Sequence, residues 1–369
     1  MEPVVVTLAS NERYFPGLYC ALASVLRYRD PMRRLDLKVL DGGLSRASLK
    51  TLAALVEPYA ETVRLEFVTA DWSAFRNATL GPGQSQMAYC RILLPHLLNV
   101  QRVIYVDCDV LVFRDLSELF DNELSSDKII GAVRDSETLT LADDSASVAK
   151  AMSLPRDGVY FNSGVMLLDL AQLRRNNFTE QSIDFLAKQT GQYRFHDQSA
   201  INFLLHGRIA ELPEYWNRAS WRFDQQEDNT LNCVLHYTRS APWAGGSGGP
   251  AQLLFERFAA NAGLPVNRQS AAFTKSRRRR FLRNVVAPFR ALGFPLVSFF
   301  YRIAGEKEKS ASYGKAACYW RHYILNASHW RRLHRKRAEE IRSMTFKFGA
   351  LSPQYERVAS EHSSFRRQL

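Results

Sequence analysis

The sequence predicts an α/β fold built on a largely parallel sheet with helices on both faces. Short runs rich in Val, Ile and Leu alternate with segments whose apolar residues recur at helical spacing. Repeated strand–helix–strand units of this kind favour parallel strand pairing with helices covering the sheet. The chain has 369 residues, of which 46% are hydrophobic and 23% charged, so it can bury a sizeable core, and wholesale disorder is excluded.

The first half supplies four predicted strands: 3–9 and 102–106 are short apolar runs, 35–40 alternates apolar and polar residues before it stops at Asp41, and 63–68 is the third strand in chain order. A helix after the first strand is indicated by Leu18, Leu22, Val25 and Leu26. Ser45 is predicted to cap a second helix that runs to Val56, and a third helix is predicted over 86–98. Because ligands of such sheets sit beyond the carboxyl ends of the strands, the segments 10–14 and 107–109 are the places to expect a site.

The second half continues the pattern with predicted strands over 129–133 and 159–168. The polar stretch between them, 135–156, is interpreted as a long loop or lid. Helices are predicted over 169–189 and 197–206, a Gly- and Pro-rich segment over 241–250 closes the body, and a last packing helix is expected over 252–262.

Charge divides the chain into two predicted regions, a body over 1–270 and a basic, aromatic-rich, mainly helical tail over 271–369. The body has a net charge of −4 and the tail one of +16. An acidic body argues against a nucleic-acid-binding protein. In the tail, a basic run over 277–280 precedes an apolar tract. Arginines interrupt this tract, and its longest uncharged stretch is too short to span a bilayer. The tail is therefore predicted to lie on an anionic membrane surface, the alternative being a solvated basic helix with some affinity for RNA.

The cysteines and the N-terminus indicate a reducing compartment. Five widely scattered cysteines with no C-x-x-C pair argue against a disulfide framework and against a zinc site. The first residues show neither a basic region nor a small-residue cleavage site, so no signal peptide is predicted. Together with the tail, these features predict a cytoplasmic protein at the inner face of the cell membrane.

The candidate chemistry begins at the end of the strand over 102–106, which delivers Asp107 and Asp109. Residues two apart in an extended chain point the same way, so both carboxylates can face one cavity. Two hard oxygen ligands suit Mg²⁺ or Mn²⁺. The alternative is that one aspartate caps a turn while the other is solvated.

Three further features strengthen the metal interpretation. His236 ends an apolar run, although a histidine there is more often structural. Asn162 and the permissive Gly164 interrupt an apolar strand, which suggests a backbone close to a ligand. Asp197 and Gln198 open a helix, where Asp197 could equally serve as an N-cap.

The order of these motifs resembles that of the family 8 glycosyltransferases, the retaining galactosyl- and glucosyltransferases of bacterial lipopolysaccharide synthesis. The resemblance covers about residues 3–262 and rests on five segments: 89–95, 103–111, 161–168, 196–202 and 236–243. It implies a GT-A nucleotide-sugar transferase fold, UDP-glucose or UDP-galactose as donor, and Mn²⁺ (with Mg²⁺ possible) as cofactor. The implied acceptor is a saccharide, lipopolysaccharide or another lipid-linked glycan.

Carried over by resemblance, Asp107, Asp109 and His236 hold the metal, and Asp107 also reaches the donor ribose. Tyr14 stacks on the uracil and Arg91 binds the donor. The loop that hydrogen-bonds the base edge consists of Ala9, Ser10 and Asn11.

The same resemblance assigns the sugar pocket to Asp135, Asn162, Asp197 and Gln198. Trp243 closes the diphosphate side. Gln198 occupies the position nearest the anomeric carbon, and because a neutral amide is a poor nucleophile, same-face attack by the acceptor is favoured. Asp197 is the alternative nucleophile.

Two departures from the family pattern keep alternatives open. The first loop carries Glu12-Arg13 with one residue inserted before Tyr14, and Ala241 stands where a diphosphate-binding lysine is expected, so Arg239 is the candidate replacement. A non-catalytic nucleotide-sugar-binding homologue is therefore one alternative. A haloacid-dehalogenase-like phosphatase, with the acidic pair at 143–144 as its second motif, is the other.

Overall fold

The computed structural model describes residues 2–69, 86–188, 191–225, 231–244, 249–264 and 327–346. Their contacts separate into two compact units. Unit 1 contains the described residues of 2–219 and 231–237. Unit 2 contains those of 220–225, 238–264 and 327–346.

The strands of unit 1 are, in chain order, β1 Val4–Ser10, β2 Leu35–Asp41, β3 Val63–Thr69, β4 Arg102–Val106, β5 Val110–Val112, β6 Ile130–Arg134, β7 Phe161–Asp169, β8 Ile209–Glu211, β9 Arg218–Ala219 and β10 Val234–His236. Among the described residues, seven of them form one sheet in the order β3-β2-β1-β4-β7-β6-β8. Its pairs are parallel except that β7 runs antiparallel to both β4 and β6. The predicted largely parallel α/β sheet is confirmed.

The helices of unit 1 are α1 Phe15–Tyr28, α2 Arg46–Val56, α3 Cys90–Leu97, α4 Ser117–Phe120, α5 Leu141–Ala151, α6 Leu170–Arg175, α7 Phe178–Lys188 and α8 Asp197–Leu204. The predicted cap of α2 is confirmed, since the Ser45 side chain accepts a hydrogen bond from the Ser48 amide. The helix predicted over 86–98 is a 3₁₀ turn, Gln86–Tyr89, that leads into α3.

The prediction of a long loop or lid over 135–156 is wrong, because this segment contains α5. Thr140 and Asp143 form a capping box at its start, which satisfies backbone amides that would otherwise lack partners. Leu141 and Val148 are fully buried in a core cluster with residues of α3, α7 and α8. The apolar spacing and the capping pair were present in the sequence, but the surrounding polar residues obscured them.

The helix predicted over 169–189 is two helices, α6 and α7. Asp169 caps α6 by accepting a hydrogen bond from the Gln172 amide at 2.8 Å. Asn177 adopts φ 49°, a left-handed conformation that asparagine tolerates better than most residues and that ends the helix.

Unit 2 contains α9 Ser220–Gln225, α10 Pro250–Asn261 and α11 Ala327–Ser343. The end of the chain segment that carries α11 packs on α10, because the Phe258 and Phe346 rings lie 5.1 Å apart and Arg257 Nε donates to the Met344 carbonyl at 2.9 Å. None of the helices in the described ranges is long and apolar enough to cross a membrane. The basic run at 277–280 and the apolar tract that follows lie outside the described residues, so the predicted boundary at 270/271 stays a prediction.

Candidate functional site

The two candidate metal carboxylates lie directly beyond the carboxyl end of β4, where the sheet rule predicts a site. The Asp107 amide donates to the Gly164 carbonyl of β7 at 2.7 Å. Strand pairing between β4 and β7 therefore fixes the backbone from which Asp107 projects.

A second small sheet brings the histidine to these carboxylates. In the order β5-β10-β9, His236 of β10 pairs with Val110, the residue that follows Asp109. The His236 Nε2 atom lies 3.2 Å from an Asp109 oxygen and 3.9 Å from an Asp107 oxygen. Ligand atoms of all three residues lie within 4.8 Å of one another, so the structure brings the predicted metal ligands together.

Gly164 makes this close approach possible. A Cβ atom at this position would lie 2.2 Å from His236 Cε1 and 2.9 Å from Asp107 Oδ2, far inside normal contact distance. The register between β6 and β7 shifts close by, between Ala132 and Val133. The glycine that the sequence singled out thus leaves room for two of the predicted metal ligands.

Asp107 is oriented from behind by two buried side chains. Arg91 NH2 donates to Asp107 Oδ1 at 2.9 Å, and the Tyr105 hydroxyl donates to the same oxygen at 2.6 Å. Burial raises the pKa of Asp107, and the Arg91 charge opposes that shift. Since both donors use Oδ1, they direct the other oxygen, Oδ2, toward His236.

Arg91 joins Asp107, a candidate metal ligand, to the start of α8. Its Nε lies 3.0 Å from Asp197 Oδ2, and its NH1 donates to the Ser163 carbonyl at 3.0 Å and to the Ser163 hydroxyl. Arg91 and Asp197 are 8% and 5% exposed, so this is a buried ion pair. Burial raises the pKa of Asp197 to about 6, while the charges of Asp107 and Asp197 outweigh burial and raise the pKa of Arg91.

The predicted sugar-pocket residues also lie together. Asn162 Nδ2 donates to Asp135 Oδ2 at 2.9 Å, and Gln198 Nε2 lies 3.4 Å from the same oxygen. The amide oxygen of Gln198 accepts from both the amide and the hydroxyl of Ser163, at 3.0 and 3.1 Å. Three elements, the end of β6, the start of β7 and the start of α8, thus meet in one polar cluster.

Asn217 belongs to the site and was missed by the sequence analysis. It is 7% exposed, its Oδ1 lies 2.8 Å from His236 Nδ1, and its Nδ2 donates to Asn162 Oδ1 at 2.8 Å. Nothing in its local sequence signals this role. Tyr105 was also missed, although in an extended chain its spacing of two from Asp107 directs both side chains to the same side.

The predicted base-binding loop lies at the end of β1, on the same edge of the sheet as the end of β4. Ala9 and Ser10 are buried, and Asn11 and Tyr14 are partly exposed. The neighbouring Glu12 carboxylate accepts hydrogen bonds from Ser45 and Ser48 at the start of α2, and the bond from the Ser45 amide lowers the pKa of Glu12. The acidic residue of the first loop therefore anchors that loop to α2.

Two predicted donor-binding residues belong to unit 2. The Arg239 guanidinium lies 4.3 Å from the centre of the Trp221 ring, and the Trp243 ring packs against Phe255. The roles assigned to Arg239 and Trp243 stay predictions.

The acidic pair that the phosphatase alternative requires serves the fold instead. Asp143 completes the capping box of α5. Asp144 is buried, accepts from the Tyr160 hydroxyl at 3.0 Å and accepts from the Arg194 amide at 2.8 Å.

The chemistry of the Asp107–Asp109–His236 donor set fits a divalent cation. Two carboxylates and one imidazole combine hard oxygen with a borderline nitrogen, a set that suits Mn²⁺. The hydrogen bonds to Asp107 Oδ1 leave the other oxygen of that carboxylate, Oδ2, facing His236. The contact of Asn217 with His236 Nδ1 leaves the other ring nitrogen, Nε2, facing the carboxylates. The three side chains are 6% to 27% exposed, so an ion there would be partly shielded from water while open to a substrate.

Comparison with known proteins assigns the fold and relates the chain to sugar-transferring enzymes. The family model described as Glycosyl transferase family 8 matches residues 5–245. General stress protein A of Bacillus subtilis is 29% identical over 225 residues, which cover 60% of this chain and 75% of that protein. Lipopolysaccharide 1,2-glucosyltransferase of Escherichia coli is 28% identical over 172 residues, which cover 43% of this chain and 49% of that protein.

The matches to these relatives thus span from about half to three quarters of their length. The solved structure of the galactosyltransferase LgtC in complex with donor and acceptor sugar analogs superposes with a TM-score of 0.60 at 23% identity. The superposition covers 70% of this chain and 95% of that one. This likeness confirms the expected GT-A fold.

Proposed function

The chain belongs to glycosyl transferase family 8, and we propose that it transfers glucose or galactose from a UDP-sugar to a saccharide acceptor with retention of configuration, using Mn²⁺. The proposal rests mainly on one observation. Arg91 connects the Asp107–Asp109–His236 cluster to the polar cluster of Asp135, Asn162 and Gln198. The family assignment replaces the phosphatase alternative.

The proposed roles follow from charge. A bound cation would supply positive charge to the diphosphate as the bond to the sugar breaks. Arg91 keeps its own positive charge because the buried Asp197 and the partly buried Asp107 face it, and it holds both carboxylates at fixed positions. Preorganised charges of this kind stabilise a transition state without having to reorganise during the reaction.

Same-face attack is the proposed route to retention. The Gln198 amide oxygen already accepts two hydrogen bonds from Ser163, and the Asp197 carboxylate is paired with Arg91. Both engagements reduce the nucleophilicity of these oxygens. We infer that the acceptor hydroxyl attacks from the side the leaving diphosphate occupies, and that the diphosphate takes its proton.

Donor hydrolysis in the absence of acceptor tests this function. UDP release is measured from a panel of UDP-sugars, with Mn²⁺ or EDTA, for the wild type, Asp109→Ala and the control Asp127→Ala, whose carboxylate is exposed. We expect metal-dependent release from one hexose donor, retained in Asp127→Ala and lost in Asp109→Ala. The anomer first released, read by proton NMR before mutarotation, should be α.

Two other outcomes have definite meanings. Calorimetric binding of a UDP-sugar without turnover, with or without saccharide acceptors, would favour the non-catalytic homologue. Absence of binding to every donor would contradict the proposal. In either assay, Arg239→Ala should weaken UDP binding if Arg239 supplies the charge of the missing lysine.

We propose that the basic tail holds the enzyme at an anionic membrane surface, where the enzyme could bind a lipid-linked acceptor. The support is the net charge of +16 over 271–369 and, within α11, the exposed Arg335, Lys336 and Arg342. Because Phe346 packs on α10, deleting the tail would uncover Phe258. Glutamine substitution of the three exposed residues together with those at 277–280 is the cleaner test.

That variant should sediment less with anionic liposomes than the wild type, since each basic residue near the surface contributes about 1 kcal/mol. The control replaces the exposed Arg46, Lys50 and Arg64 of unit 1 with glutamine. Equal binding by the tail variant and the wild type would overturn the proposal.

A further inference from the structure

The backbone of Asn217 is held in place by the elements that precede and follow it in unit 1. It follows the 3₁₀ turn Glu214–Trp216 and precedes β9, and its amide donates to the Glu214 carbonyl at 3.0 Å. The next residues pair in parallel with β10, Ala219 opposite His236. The side chain is thereby held beside the imidazole on the side away from Asp109.

The direction of each hydrogen bond around Asn217 can be worked out from one carboxylate. Asp135 Oδ2 can only accept when ionised, so the Asn162 atom 2.9 Å from it must be the amide nitrogen. Asn162 Oδ1 is then an acceptor, which agrees with the Gly164 amide donating to it at 3.0 Å. The orientation of Asn162 is therefore fixed by Asp135 and the backbone.

The same reasoning continues to the metal ligand. Since Asn162 Oδ1 accepts, the Asn217 atom 2.8 Å from it must be Nδ2, which leaves Asn217 Oδ1 facing His236. An amide oxygen has no proton to give, so His236 Nδ1 must carry the hydrogen of that contact. In the neutral imidazole, the form that binds a cation, the lone pair is then on Nε2, the atom 3.2 Å from Asp109.

We propose that Asn217 is a positioning residue that sets the tautomer of His236 and links it, through Asn162, to Asp135. The inference rests on the proposed function, in which His236 binds a divalent cation through Nε2 and Asp135 lines the sugar pocket. Partners of metal-bound histidines generally fix ring orientation in this way, and their loss typically lowers metal affinity about 10- to 100-fold. The link places the metal ligand and the sugar pocket in one directional chain.

Two substitutions distinguish the contact of Asn217 with His236 from its contact with Asn162. Asn217→Ala removes both contacts. Asn217→Asp keeps an acceptor for His236 Nδ1 but presents a second oxygen to Asn162 Oδ1, where a donor is needed. The matched control is Asn176→Ala, because Asn176, the residue that follows α6, also makes two side-chain contacts, to Gln172 and Arg208.

The first readout is the tautomer itself. Long-range ¹H–¹⁵N correlation of histidine-labelled protein without metal is recorded at a pH high enough for the imidazole to be neutral, with the His236 signals identified by His236→Gln. It should show the Nδ1-protonated form in the wild type, Asn217→Asp and Asn176→Ala. In Asn217→Ala this form should give way to a mixture. A merely structural role for Asn217 would leave the tautomer unchanged in every variant that folds, as judged by Tm.

The second readout is Mn²⁺ affinity, titrated by EPR without donor. We expect a loss of about 10- to 100-fold in Asn217→Ala, a change below about threefold in Asn217→Asp and none in Asn176→Ala. Donor turnover should nevertheless fall in Asn217→Asp, since Asn162 loses its partner. Wild-type tautomer and wild-type Mn²⁺ affinity in Asn217→Ala would overturn the inference. If the wild type itself bound no Mn²⁺, the proposed function would fail, and the tautomer measurement would still decide the role of Asn217.

Discussion

Gly164→Ala is the smallest change that tests the geometry of the site, because it adds one methyl group between two predicted metal ligands. The new Cβ would lie 2.2 Å from His236 Cε1, 2.7 Å from His236 Nδ1 and 2.9 Å from Asp107 Oδ2. Carbon atoms in contact normally lie about 3.5–4.0 Å apart, so the imidazole or β7 must move by more than about 1 Å.

Such a shift is large on the scale of a metal site. Overpacking of this kind costs about 1–3 kcal/mol of stability, and a displacement near 1 Å can lower a reaction rate about 100-fold. Gly164→Ala should therefore fold with a reduced Tm, bind Mn²⁺ at least 10-fold more weakly and release UDP about 100-fold more slowly. EPR titration, UDP release and thermal unfolding on the same preparation measure the three effects.

Gly131→Ala is the matched control. It lies in β6 of the same sheet, and the three atoms nearest its Cβ would belong to leucine side chains, the nearest being Leu212 Cδ2 at 3.2 Å. We expect a modest loss of Tm in this variant with unchanged metal affinity. Wild-type Mn²⁺ affinity and turnover in Gly164→Ala would refute the close approach on which the site depends.

Three further predictions address other parts of unit 1. Tyr105→Phe removes the hydroxyl that donates to Asp107 Oδ1 and should weaken Mn²⁺ binding about 10-fold by EPR titration; unchanged affinity would mean that this hydrogen bond does not orient the carboxylate. Burial raises the pKa of Asp197 from 3.8 to about 6, so the folded protein retains a proton that the unfolded chain releases, and the wild type should lose unfolding free energy relative to Asp197→Asn as the pH rises from about 4 to about 6 in urea denaturation. The opposite slope would show that the ion pair with Arg91 outweighs burial. Leu141→Ala in α5 should cost about 2–5 kcal/mol in the same assay, whereas a loss below about 0.5 kcal/mol would support a mobile lid.

The fold was largely predictable because β1 and β4 are nearly continuous apolar runs and β2 alternates apolar and polar residues. Every residue of β1 is buried, as expected for a parallel strand covered on both faces, and its sequence cannot be mistaken for a loop. α5 was missed because helix formation there depends on burial of only a few apolar residues, and their tertiary partners are distant in sequence. Local polarity therefore outweighed a weak periodic signal.

The site was predictable where chemistry is concentrated in short motifs. Asp107 and Asp109 follow a buried strand, and His236 ends another, so topology alone could bring them together. Asn217 and Ser163 were not predictable, because their roles arise from contacts with residues 19 and 72 positions away, His236 and Arg91. A single polar residue carries no sequence signal for a partner that only the folded chain supplies.

The central claim is that Asp107, Asp109 and His236 form one metal site at which a UDP-sugar is bound. Pulsed EPR of the protein with Mn²⁺ and UDP measures both parts at once, through nitrogen coupling from an imidazole and phosphorus coupling from the diphosphate. We predict both couplings in the wild type, and loss of the nitrogen coupling in His236→Gln. Bound Mn²⁺ with neither coupling, or a nitrogen coupling that persists in His236→Gln, would contradict the account.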